Sequence, residues 1–202
     1  DGSGDVYVGG SFTTYNGTAS NRMIRLNSDG TVDTAFVVGS GFNGSTVQSI
    51  SPATDGSGDV YVGGGFATYN DTPISKVIRL NSDGTVDTAF VVGSGFNGSV
   101  LSISLAIDGS GDVYVGGMFT TYNGTASIRA IRLNSDGTVD TAFVVGSGFN
   151  SNVNSISPTI GDSGDVYVGG SFTTYNGTTS NYMIRLNSDA SVDTAFVVGS
   201  GF

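Results

Sequence analysis

Cysteine, histidine, tryptophan and glutamate are all missing from this 202-residue chain. Without cysteine there is no disulfide, no thiolate zinc site and no thiol nucleophile. Without histidine as well, a serine nucleophile has no plausible base except aspartate. Basic residues are scarce: 7 Lys and Arg stand against 17 acidic residues, all aspartate, for a net charge of −10. Such a surface repels phosphate backbones and the negative leaflet of a membrane, so no nucleic-acid partner is expected. No apolar run approaches the ~20 residues of a membrane-spanning helix, so no membrane insertion is expected either.

Glycine is plentiful, at 33 residues, and the sequence repeats. DGSGDVYVGGSF starts at Asp1, DGSGDVYVGGGF at Asp55, DGSGDVYVGGMF at Asp108 and GDSGDVYVGGSF at Gly161. Phe36, Phe90, Phe143 and Phe196 keep the same step, spaced 54, 53 and 53 residues apart. A fixed period of this length signals a repeat architecture. We divide the chain into one repeat domain, 1–202, with units at about 1–42, 43–96, 97–149 and 150–202.

Within a unit, short runs rich in Val, Ile, Thr, Tyr and Phe are bounded by Gly, Asn, Asp or Ser, which is the signature of strands and hairpins. In the third copy these runs are SVLSISLAI, DVYVGG, ASIRAIRLN and TVDTAFVVG. No segment has helical periodicity over ten residues. Four strands per ~50 residues with a glycine and aromatic rhythm predict an all-β fold, a β-propeller of four-stranded blades. Paired glycines such as Gly9 with Gly10 and Gly63 with Gly64 would let adjacent backbones approach closely. Asn16, Asn43, Asn97, Asn123 and Asn176 each precede glycine, so each is expected at a left-handed turn on the surface. Tyr7, Tyr61, Tyr114 and Tyr167 are expected to be much more buried than these asparagines.

VGGSFTTYNGT with IRLNSDGTVDTAF resembles the delta-60 repeat, a bacterial β-propeller repeat of large secreted and surface proteins, over all four units. Kelch repeats also carry an apolar strand before Gly-Gly, but their later tryptophan is missing here. The delta-60 resemblance implies a propeller and an extracellular or cell-surface setting. It implies no catalytic residues.

Three constellations are candidates for a site. Asp1, Ser3 and Asp5 place oxygens at alternate positions, as do Asp55, Ser57 and Asp59, and Asp108, Ser110 and Asp112. A second acidic set is Asn27, Asp29 and Asp33, recurring as Asn81, Asp83, Asp87 and Asn134, Asp136, Asp140. Hard oxygens at such spacing suit Ca²⁺, although no late bidentate glutamate follows. The same residues also suit Asx turns that close hairpins. Arg25, Arg79, Arg132 and Arg185 recur in IRLN, either as an anion-binding ring or as partners of Asp33 and its equivalents. Finally, TTYNGT offers Tyr15 with Asn16, Tyr69 with Asn70, Tyr122 with Asn123, and Tyr175 with Asn176. An exposed ring beside amides could stack on a sugar. A ring packed on the sheet edge is the other reading.

Catalysis has little to work with. A paired-aspartate hydrolase needs unlike environments for its two acids, and a repeated array makes every copy alike. The residues peculiar to one unit, including Asp71, Pro73, Lys76, Met118 and Tyr182, form no recognisable constellation. The sequence therefore reads as a non-enzymatic structural or adhesive repeat protein that needs no cofactor, with glycan binding through TTYNGT as the alternative. Its expected partners are other copies of itself or further repeats. Only three units carry the VxSIS run, as VQSIS, VLSIS and VNSIS, so the chain is expected to belong to a longer array or a polymer.

Overall fold

The computed structural model describes residues 3–161 and 163–202, and every regular element among them is an antiparallel β-strand. Asp1 and Asp162 fall outside the described residues.

Each full unit is a three-stranded sheet with the VYVGG run in the middle. In the second unit Val60–Gly64 lies between Val47–Pro52 and Val77–Leu80. The third unit repeats this with Val100–Leu105, Val113–Gly117 and Ala130–Leu133, and the fourth with Val153–Pro158, Val166–Gly170 and Met183–Leu186. Among the described residues the sheet of the first unit consists of Val6–Gly9 and Met23–Leu26. In the second and third units all five residues of VYVGG are buried, because sheets cover both faces. A strand covered on both faces has no need of polar alternation.

The first strand of each full sheet carries a bulge. Val47 pairs with Gly64 and Ser49 with Gly63, which leaves Gln48 as the extra residue, and the shift recurs at Leu101 and Asn154. The variable middle position of VQS, VLS and VNS is therefore the unpaired residue.

Successive sheets stack face to face. The glycine pair makes this approach possible: a Cβ on Gly63 would lie 2.5 Å from Val100 Cγ1 and 2.7 Å from Ile103 Cδ1. The first glycine of the pair in the first three units, Gly9, Gly63 and Gly116, thus receives the apolar side chains of the following unit, whereas the second, as at Gly64, lies against its own unit's backbone.

Beside each sheet sits a two-residue hairpin. Thr14–Tyr15 pairs with Thr18–Ala19, and the motif recurs at Thr68–Tyr69, Thr121–Tyr122 and Thr174–Tyr175. Asn16 and Gly17 take φ of 47° and 79°, the two positive values of a type I′ turn. Asn43 and Asn97 depart from the expected left-handed geometry. Asn43 ends the short strand Phe42–Asn43, and Asn97 Oδ1 accepts the N–H groups of Thr120 and Thr121. Their side chains stay exposed, but sheet-like pairing sets their backbone instead of a turn.

Phe42–Asn43 pairs with Thr68–Tyr69, so the boundary placed between 42 and 43 cuts through an element belonging to the next unit. Phe96 and Phe149 likewise bridge to Tyr122 and Tyr175. Each of the first three units hands a phenylalanine forward, where it packs with a Phe and a Tyr. Phe42 stands 4.5 Å from Phe66 and 4.7 Å from Tyr69, ring centre to ring centre. Such pairs add about 0.5–1.5 kcal/mol beyond their buried area.

The expected fourth strand, TVDTAFVVG, is reduced to a single bridge, Leu80 to Val86 in the second unit. The next residue, Asp87, turns its carboxylate onto the N–H of Ala89 at 2.8 Å, and the same contact recurs at Asp33, Asp140 and Asp193. That Asx turn takes the donor a strand would use. The following Phe90 drops edge-on against Tyr61, and Val91 N–H crosses to the Asp136 carbonyl of the next unit.

Candidate functional site

The recurring charges converge on the guanidinium of IRLN. In the third unit Arg132 Nη2 lies 2.5 Å from Asp108 and 3.0 Å from Asp112, while Nε lies 3.2 Å from Asp140. Its Nη1 donates to the Tyr114 hydroxyl at 3.1 Å. Arg79 repeats the pattern with Asp55 at 2.7 Å, Asp59 at 3.0 Å and Asp87 at 3.3 Å. Arg25 meets Asp33 at 2.5 Å, and Arg185 meets Asp193. The pairing of arginine with Asp33 and its equivalents is thus as the sequence suggests, and two acids of the DGSGD run join it. These arginines do not ring an open anion channel, because each is already neutralised by its own unit.

This arrangement corrects the metal reading. Asp55, Asp59, Asp108 and Asp112 surround a cation that is already there. Asp55 Oδ1 also accepts both the N–H and the hydroxyl of Ser57, and Asp108 does the same with Ser110. Asp29 closes on Thr31 N–H and Oγ1, while Asn27 Nδ2 donates to Thr31 Oγ1. In the first unit Asp5 N–H binds Ser3 Oγ, and Asp1 lies outside the described residues. The Asx-turn reading accounts for every one of these contacts. Among the described residues no group of acidic side chains is placed to hold a metal ion.

Hydrogen bonding from Ser57, joined by Arg79, holds the Asp55 carboxyl at about 2. Burial would raise Asp108, but Ser110 and Arg132 outweigh it and bring it also to about 2. Burial alone would lower Arg132, yet its carboxylate and phenol partners leave it raised.

The TTYNGT pairs are corrected as well. Tyr69 and Tyr122 are 0% exposed and Tyr175 1%, so their ring faces are not open to a sugar. Their hydroxyls donate inward to Gly84, Gly137 and Ala190 carbonyls at 2.5, 2.6 and 2.7 Å. Burial pushes all three phenols up to about 12. Tyr15 is half-buried and donates to Gly30 O at 2.9 Å. Asn70, Asn123 and Asn176 accept the N–H of Gly41, Gly95 and Gly148 from the preceding unit. Asn16 remains exposed at its turn. The physical reason is the forwarded phenylalanine, which roofs each tyrosine from a segment about 27 residues upstream and closes the ring face.

Inter-unit fasteners were the residues missed from sequence. Tyr7, Tyr61 and Tyr114 hydroxyls donate to Gly58, Gly111 and Gly164 carbonyls of the following unit at 3.3, 3.2 and 3.1 Å. Ser49 and Ser102 accept the N–H of Ile103 and Ile156 in the following unit at 2.8 and 3.1 Å. Recurrence of Tyr in VYV and of the first Ser in VxSIS was the available signal. Arg22, Lys76 and Arg129 all have positive φ; Lys76 and Arg129 cap the Phe66 and Met118 carbonyls beside their own hairpins, whereas Arg22 reaches forward to the Phe42 carbonyl. Tyr61 and Tyr114 are nearly fully buried as expected, whereas Tyr7 and Tyr167 in the end units are only half-buried.

Open clefts of about 410 Å³ lie between the first and second units, over Tyr7, Arg25 and Asp59, and between the second and third, over Asp55, Arg79 and Ser135. The second cleft is lined by the Asp55–Arg79 pair, and the first by Arg25 and Asp59, which belong to two different pairs.

Stacked three-stranded sheets, linked unit to unit by recurring polar fasteners, define an all-β repeat protein of the propeller class. The chain belongs to the family described as a domain of unknown function (DUF5122) beta-propeller, which it matches at residues 2–36, 55–90, 109–143 and 163–196, more than half its length. No curated protein matches the chain.

Proposed function

We propose that this chain is a non-catalytic structural or adhesive repeat protein of the cell exterior, of the delta-60 type, which acts by associating with further repeats or copies of itself. One observation carries the reading: the recurring polar groups described above are engaged in holding a unit together or joining it to the next. The Asp–Arg clusters, the tyrosine hydroxyls and the VxSIS serines all serve that purpose. The charged groups Arg25, Asp55, Asp59 and Arg79 of the open clefts are each held in a structural ion pair, which leaves them poorly suited to chemistry. The extracellular setting rests on the delta-60 resemblance.

Sedimentation velocity over a hundredfold concentration range tests the association. The sedimentation coefficient should rise with concentration, and a constant monomer value would refute the reading. No cofactor enters this proposal. Adding Ca²⁺ or EDTA should leave the melting temperature unchanged, because Arg79 and Arg132 already occupy the acidic clusters. A Ca²⁺-dependent rise of several degrees would overturn that part.

A further inference from the structure

We propose that Asn43 is a site of spontaneous deamidation, in which its side-chain amide is lost to the Gly44 nitrogen and then to water, at the junction of the first and second units. Asn43 and Asn97 sit in the same seven residues, GSGFNGS, at 39–45 and 93–99. Any difference in their reactivity is therefore a property of the fold. Asn97 is anchored: its Nδ2 donates to Thr120 Oγ1 at 2.9 Å, and its Oδ1 accepts the N–H groups of Thr120 and Thr121 at 2.8 and 3.0 Å. Asn150 is held in the same way by Thr173 and Thr174. The second unit has Ala67 where the others have Thr120 and Thr173, so the accepting hydroxyl is gone. The Ala67 N–H goes instead to the Asn43 main-chain carbonyl at 2.8 Å. Thr46 also adds a residue before the first strand: Val47 follows Asn43 by four positions, whereas Val100 follows Asn97 by three and Val153 follows Asn150 by three.

The released side chain turns back on its own backbone. Asn43 Oδ1 accepts the N–H of Gly44 at 2.7 Å, and among the described residues no other asparagine meets its following glycine in this way. Cγ lies one bond beyond that oxygen, so the attacking nitrogen and the carbon it attacks are already neighbours. Glycine has no side chain to hinder the approach, and both residues are open to water. Arg22 Nη1 and Nη2 donate to the Phe42 and Gly44 carbonyls at 2.6 and 3.2 Å, which puts a cation beside the peptide that must give up its proton. In the reaction the Gly44 nitrogen bonds to Cγ and the Cγ–Nδ2 bond breaks. The amide nitrogen leaves as ammonia, carrying the proton of the Gly44 N–H. Water then opens the cyclic imide at either carbonyl. Opening at Cγ leaves aspartate; opening at the main-chain carbon leaves isoaspartate, with one extra methylene in the chain. That methylene would fall in the strand Phe42–Asn43, next to the ring that packs on Phe66 and Tyr69. The Asn-Gly pairs at Asn123 and Asn176 are restrained, because Oδ1 takes the N–H of Gly95 or Gly148 and the hydroxyl of Ser94 or Ser147.

The test incubates the whole chain at mildly alkaline pH and follows conversion at each asparagine by peptide mapping with mass spectrometry. In the folded chain Asn43 should deamidate at least about tenfold faster than Asn97, the effect of the hydrogen bonds that Asn97 must first break. It should also outpace Asn123 and Asn176. In urea Asn43 and Asn97 should convert at the same rate, because their neighbours in sequence are alike. Aspartate and isoaspartate, told apart by fragmentation, should both appear at position 43. A variant lacking Thr46 and carrying Ala67→Thr restores the spacing and the hydroxyl of the third unit, and its Asn43 should slow to the rate of Asn97. The wild-type comparison stands whether or not that variant folds. Conversion at Asn43 no faster than at Asn97 in the folded chain, a difference that persists in urea, or a folded variant with undiminished conversion would overturn the proposal.

Discussion

A guanidinium has donors and no acceptor, so a buried arginine is stable only where acids and hydroxyls surround it. Arg132 meets that condition with three aspartates and a phenol, and its ring contact with Tyr114 at 5.2 Å adds a cation–π term. Replacing it by methionine leaves Asp112 and Asp140 facing one another without a cation. Arg132→Met should therefore destabilise the chain by about 3 kcal/mol, read as a lowered urea midpoint with unchanged slope. Asp108→Asn should cost less, since that carboxylate is partly solvated and screened. The tyrosines follow similar logic. Tyr122→Phe keeps the packing but leaves the Gly137 carbonyl unpaired in the core, a loss of about 1–2 kcal/mol. Tyr15→Phe, at a half-buried ring, should fall below that.

The glycine pair shows how an element depends on its neighbour. Gly63 and Gly169 occupy the same position in their strands, but a Cβ on Gly63 collides with Val100 and Ile103, whereas one on Gly169 makes only ordinary contact with the Tyr182 carbonyl oxygen at 3.8 Å. Gly63→Ala should destabilise by about 1–3 kcal/mol, as overpacking does, and Gly169→Ala should be close to neutral. Thermal melts of the two variants check this directly, and equal effects would show that the stacking is misplaced. The VYVGG and IRLN strands, the bounding turns and the Arg–Asp33 pairing were all legible from local pattern, because their signals lie within a few residues. TVDTAFVVG was misread because its β-branched and aromatic content is strand-like, while the decisive contact is the Asp87 carboxylate on Ala89 N–H. A two-residue side-chain turn can override apolar content over nine residues.

At the scale of the molecule, repetition multiplies each perturbed group. Tyr69, Tyr122 and Tyr175 titrate near 12 when folded, against 10 for an ordinary tyrosine. Their folded values are raised, so the associated stability is complete below pH 10 and is lost as pH climbs from 10 through 12, where the unfolded chain releases its protons first. Each shift is worth at most about 3 kcal/mol. Asp55 and Asp108 run the other way. They lie near 2 against an ordinary 3.8, so their contribution is present above pH 4 and fades as pH falls toward 2. Asp55 is 45% exposed, which trims its share. Urea unfolding as a function of pH should show a plateau from about pH 5 to 9 with a decline on each side, and the alkaline arm should shrink in Tyr122→Phe.

The amino-acid sequence by itself determined the repeat, its period, the all-β class and the hairpin turns, since each is written in spacing and residue type over short stretches. Only the tertiary structure decided which faces of those strands remain available. It covered the TTYNGT rings with phenylalanines from the preceding unit and gathered DGSGD and VDTA acids around one arginine. It also set Tyr61 against Gly111, a partner 50 residues away. The ring contacts and the Tyr61 contact join residues of neighbouring units, the arginine cluster joins separated residues of one unit, and no local pattern carries the distances between them. The ligand-like features of the sequence became structural ones because each copy engages its charged groups in its own ion pairs and offers its aromatic and hydroxyl groups to its neighbours at a fixed separation.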